Sequence, residues 1–120
     1  MGFLDRIRNR GAPATPQEAD QLVLRQLAAR GADLTKPRHV IHYLYFTAEA
    51  DARSAADLIA QAEWEPVVSP PDERIAEWFV RADGYRVVGT STAEAFRAWF
   101  EQIAADFRGE YDGWEASAKP

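Results

Sequence analysis

The chain of 120 residues has no cysteine. Disulfide staples, thiol catalysis and cysteine-zinc centres are excluded together. Long apolar runs are missing as well. Phe3, Leu4 and Ile7 sit among arginines at the start, and no apolar stretch follows. This argues against a secretory signal and a membrane span, and a cytoplasmic location is the expectation. Gly84, Gly89 and Gly109 form no phosphate-cradling pattern before a helix, so a nucleotide loop is not expected. Ser91 has no nucleophile elbow around it. No cluster of Asp, Glu and His has metal-ligand spacing, so neither a metal nor another cofactor is expected. No internal repeat is visible.

What is present fits one domain with one core. Hydrophobic residues make up 47% and aromatics 12%, enough buried area to fold without staples. The net charge of −5 is unevenly placed. Residues 1–60 hold 8 Lys+Arg against 7 Asp+Glu, whereas residues 61–120 hold 6 against 12. An acidic half repels a phosphate backbone, so direct nucleic-acid binding is disfavoured. It suits a basic protein partner, or it serves solubility alone.

Local patterns divide the chain. Residues 1–14 end in Gly11-Ala12-Pro13-Ala14 and read as a flexible tail. Arg6, Arg8 and Arg10 could form a basic turn that touches a membrane or partner, but a loose solvated segment is the simpler reading. Thr15-Pro16-Gln17-Glu18 is a capping box with proline at the first helical position. The helix after it carries Ala19, Leu22, Val23 and Leu27 on one stripe and stops at Gly31. Arg38 to Thr47 is the clearest strand, with Val40, His42, Leu44 and Phe46 on one face and His39, Ile41, Tyr43 and Tyr45 on the other. The first face should meet helices, and the second should lie open.

Thr47 is expected to cap a helix over about 48–63, with Ala55, Leu58, Ile59 and Ala62 inward. A short strand over 64–69 ends at Pro70-Pro71. A second strand runs from Ile75 to Asp83, with Phe79 and Arg81 on one face, and breaks or bends at Gly84, after which Tyr85 to Val88 either extends it or pairs with it. Ser91-Thr92-Ala93-Glu94 reads as another capping box, for a helix over about 92–107. That helix carries Phe96, Trp99, Phe100 and Phe107 on one side and must dock on a sheet. Gly109 should end it, and Glu110 to Glu115 reads as the last strand. After the first helix the order is strand–helix–strand–strand–helix–strand. This predicts an α+β, ferredoxin-like domain over 15–120: a four-stranded antiparallel sheet, helices on one face, plus an N-terminal helix.

Two places invite chemistry. His39 and His42 lie three apart in a strand, which puts them on opposite faces and argues against a shared metal site. His42 reads as a hydrogen-bonded core histidine, and His39 as a residue at a partner contact or simply at a solvated strand end. Asp112 stands between Tyr111 and Gly113 with no histidine, cysteine or serine beside it. It reads as an acceptor for backbone amides at a glycine bend rather than as a general base. Trp114 reads as a core plug or edge cover.

Arg38-His39-Val40-x-His42-x-Leu44-Tyr45-Phe46 and Gly109-Glu110-Tyr111-Asp112-Gly113-Trp114 resemble the regulator of ribonuclease E activity B family. Asp20-x-x-Val23-Leu24-x-x-Leu27 with Gly31-x-Asp33-Leu34 resembles that family's leading helix, and the similarity covers about residues 18–116. The resemblance implies a ferredoxin-like fold and a non-enzymatic protein that binds the endoribonuclease and changes its cleavage of RNA. It carries over no catalytic residue. The positions matching its motifs are Arg38, His39, His42, Glu110, Tyr111, Asp112, Gly113 and Trp114. Arg38, His39, Tyr43, Tyr45 and Phe79 are the candidate contacts to a protein partner. The alternatives are a small-molecule-binding or enzymatic module of the same fold, which a cleft beside Asp112 with His42 within hydrogen-bond reach would favour, and a homodimer whose contact is the open face.

Overall fold

A computed structural model describes residues 6–8 and 15–119. The first strand, β1 (Arg6–Arg8), leads to helix α1 (Pro16–Ala29), strand β2 (Arg38–Phe46) and helix α2 (Glu49–Gln61). Strands β3 (Glu65–Ser69) and β4 (Trp78–Arg86), helix α3 (Thr90–Asp106) and strand β5 (Gly109–Ser117) follow. All strand pairs are antiparallel, in the order β1-β5-β2-β4-β3. With the three helices, the four strands after β1 make the expected α+β arrangement with an open antiparallel sheet. Arg6–Arg8, within the segment expected to be a tail, forms a short fifth strand along β5. Arg10 and the Gly11 to Ala14 linker lie outside the described residues. Among the described residues, no helix is long and apolar enough to cross a membrane.

Side-chain alternation builds the core. Val40, Leu44 and Phe46 of β2 share a face with Val80 and Ala82 of β4 and with Trp114 and Ala116 of β5. All three helices pack onto that face, through Val23, Leu24 and Leu27, through Ala52, Ala55, Ala56 and Ile59, and through Ala93, Phe100, Ile103 and Ala104. Leu58 and Trp99, expected inside, are exposed. The α2 stripe is centred one position away from the expected one, and Phe100 rather than Trp99 fills the space below α3.

The helix ends refine the sequence reading. Thr15 caps α1, its hydroxyl accepting from the Glu18 amide at 3.1 Å. Gly31 follows the C-cap at φ 84°, a conformation that costs glycine nothing. Helix α2 is not capped by Thr47; Ala48 occupies the cap position without a side-chain bond, and Glu49 and Asp51 complement the helix dipole. Helix α3 starts earlier than Ser91: the Gly89 amide donates to the Thr92 hydroxyl at 2.7 Å.

Two glycines expected to interrupt the chain lie within strands. Strand β4 runs through Gly84, where an added Cβ would stand 2.4 Å from the Trp64 ring. Gly109 belongs to β5, and a Cβ there would meet the Phe46 ring at 2.4 Å. Helix α3 ends instead at Phe107, before Arg108 at φ 58°. Both glycines are required by close approach of an aromatic ring.

Candidate functional site

The side of the sheet away from the helices is built by every second residue of four strands. Register places Tyr43 beside Arg81 and Gly113, Tyr45 beside Phe79 and Glu110, and His39 beside Tyr85. β3 adds Glu65 beside Asp83 and Val67 beside Arg81. Tyr43, Phe79 and Tyr45 form a row, with ring centroids 5.6 and 5.3 Å apart.

The polar groups of this face are organised around that row. Asp83 accepts from Arg81 at 2.7 and 2.9 Å and lies 2.8 Å from Nε2 of His39. Partial burial pushes the Asp83 carboxyl up, but the hydrogen bonds from Arg81 and His39 outweigh it and hold the group below its usual range. The Tyr43 hydroxyl donates to Glu115, which is buried. The Tyr45 hydroxyl donates to Asp112 at 3.3 Å.

Asp112 owes its position to a bulge. The β2–β5 register shifts between Tyr43 and Leu44, so that Gly113 and Tyr111 pair with β2 while Asp112 does not. Gly113 accommodates the irregularity at φ 104°. A cleft of about 240 Å³ results, lined by Tyr45, Glu77, Glu110, Tyr111 and Asp112. Glu65, Val67, Arg81 and Asp83 line a second concavity, of about 340 Å³.

The motif residues on the helix side do something else. His42 is buried, stacks on Phe100 at 4.1 Å, and stands edge-on to Trp64 at 4.9 Å. Its Nδ1 lies 2.7 Å from the Tyr111 hydroxyl. Burial, helped by the Arg86 charge, drives the imidazole pKa down to about 3, so the ring is neutral at physiological pH. Burial, followed by the Asp20 charge, raises the Tyr111 phenol well above its ordinary value. Trp114 is a core plug whose indole N–H donates to Asp20 at 2.9 Å, while Arg97 donates to the other Asp20 oxygen at 2.8 Å.

The expected contact residues therefore separate. His39, Tyr43, Tyr45 and Phe79 share the open face. Arg38 does not: it is fully buried and donates to the carbonyls of Asp33, Ser117 and Ala118, tying the last strand to the loop after α1. A residue so enclosed cannot touch a partner. His42, Tyr111 and Trp114 are packing groups. Glu110 and Asp112 line the cleft, and Asp112 is engaged by a tyrosine hydroxyl. His42 is not among the residues lining that cleft, so the pairing with Asp112 that would favour an enzyme is not formed.

Asp83, Tyr85, Glu65 and Val67 also belong to this face and were not among the expected contact residues. Counting on by twos from Phe79 and Arg81 finds the first two, once Gly84 is read as part of the strand. Glu77 was also missed. Among the described residues, no group of three or more His, Asp or Glu is placed to hold a metal ion.

Fold and site together define a small α+β domain with an open antiparallel sheet, one face sealed by three helices and the other carrying aromatic rings among carboxylates. A sequence model of the family described as regulator of ribonuclease activity B matches residues 17–116, and the chain belongs to that family. The family is one of regulators, not catalysts, of RNA cleavage. No curated protein matches the chain at a significant level.

Proposed function

We propose that this chain is a non-enzymatic regulator that binds a ribonuclease E-type endoribonuclease through the open face of its sheet. The observation that carries the reading is the Tyr43–Phe79–Tyr45 row on the face of the sheet opposite the described helices. Aromatic side chains held in place by a sheet lose little freedom on binding and contribute most to interface affinity. The carboxylates around the row favour a basic partner and mainly accelerate encounter. Family membership supports a role in regulating a ribonuclease; contact with the enzyme is the added claim.

The test is direct. Purified protein at micromolar concentration is mixed with the host's full-length ribonuclease E-type enzyme. Co-elution in gel filtration and an altered cleavage rate are expected. If the two proteins elute apart and cleavage is unchanged, the reading fails.

A further inference from the structure

The open face carries a half-buried aromatic row with carboxylates at both ends. Past Tyr45 stand Glu77, Glu110 and Asp112 around the smaller cleft. Past Arg81 stand Glu65 and Asp83 around the larger one. Arg81 neutralises Asp83. Among the described residues, no hydrogen bond or ion pair engages Glu65, Glu77 or Glu110. The face is thus acidic in excess, with rings at its centre.

Those charges select the occupant. A second copy docked about a two-fold axis would bring the same carboxylates against each other. RNA would bring phosphates against them. The complementary surface carries cations interleaved with stacking side chains. A ribonuclease has such a surface by necessity, because it holds RNA with Arg and Lys on phosphates and with aromatic side chains on bases.

We propose that the open face occupies the RNA-holding surface of the ribonuclease, with its carboxylates where phosphates bind and Tyr45, Phe79 and Tyr43 where bases stack. Protein and RNA then exclude each other, and regulation is competitive. This rests on the reading of the chain as a ribonuclease-binding protein.

The experiment is steady-state cleavage of a fluorescent single-stranded RNA by the full-length ribonuclease at several concentrations of the full chain. Displacement of an uncleavable RNA, followed by anisotropy, is measured alongside. The apparent KM for RNA should rise with added protein while kcat stays constant, and each ligand should displace the other. Glu77→Lys with Glu110→Lys should weaken binding by about tenfold or more at low salt. The near-isosteric pair Glu77→Gln and Glu110→Gln, which adds no new charge, should weaken it by a smaller factor. A fall in kcat at constant KM, or a ternary complex with RNA, would overturn competition while leaving ribonuclease binding intact. The same holds if both variant pairs bind as the wild type does. Absence of any binding overturns the functional reading and this inference with it.

Discussion

The two faces of the sheet use similar residues to opposite ends. On the helix side Asp20, Arg38, His42 and Arg97 are buried, and each is held by an internal group. On the open side His39, Asp83, Arg81 and Asp112 are also engaged, but they stay half-buried, and Glu65 and Glu110 are exposed. Strand β2 contributes a histidine to each face, and full burial keeps the His42 ring neutral at physiological pH. Enclosure, not residue type, separates groups sealed inside the fold from groups that keep part of their surface exposed.

The comparison breaks first at Asp20. Replacing it with alanine leaves Arg97 without its buried partner and the Trp114 indole without its acceptor. A loss of about 3–5 kcal/mol is expected from urea unfolding. Asp83→Ala on the open face removes a partly solvated pair and should cost below about 1 kcal/mol. Equal losses would mean that the faces do not differ as described.

A smaller effect follows from pH. The folded-state pKa of His42 is depressed from 6.5 to about 3, so between those values the unfolded chain takes up a proton that the folded chain refuses. The neutral-histidine contribution is fully present above pH 6.5 and declines as pH falls. Between pH 6.5 and 5 the loss is about 2 kcal/mol. His42→Phe keeps a ring against Phe100 and removes the titrating group. Its unfolding free energy should be flatter over this window than that of the wild type. Parallel curves would show that His42 is not the source.

A small stability change is also expected at the aromatic row of the open face. Phe79→Ala should reduce folding stability by only about 1 kcal/mol, yet weaken ribonuclease binding by about 2 kcal/mol, a factor near 30. Calorimetric titration against the enzyme, paired with thermal unfolding, reads both. Unchanged affinity would remove the aromatic row from the interface.

Much of this was legible beforehand. The alternation from Arg38 to Phe46 placed His39 and His42 on opposite faces, and Thr15-Pro16 and Gly31 marked the ends of the first helix. The lines of sight failed where a residue's role depends on a distant neighbour. Gly84 and Gly109 looked like breaks because glycine is read locally as a turn residue; each instead admits an aromatic ring, from Trp64 and from Phe46. Arg38 looked like a contact residue because arginine is ordinarily exposed; its guanidinium meets carbonyls 79 and 80 positions away. For Asp112, the motif suggested a bend held by backbone amides, while the bulge aims it at the Tyr45 hydroxyl.

The sequence by itself determined the order of elements from the first helix onward, the two faces of the central strand and the excess of negative charge in the second half. Those properties follow from spacing and composition, which act over a few residues or over the whole chain. Only the tertiary structure decided which polar residues are enclosed, because enclosure depends on groups brought together from far apart. Asp20 meets Arg97 across 77 positions and Trp114 across 94. The same folding gathers Tyr43, Tyr45 and Phe79 into one row and sets Glu77, Glu110 and Asp112 beside it, a surface that no single segment contains.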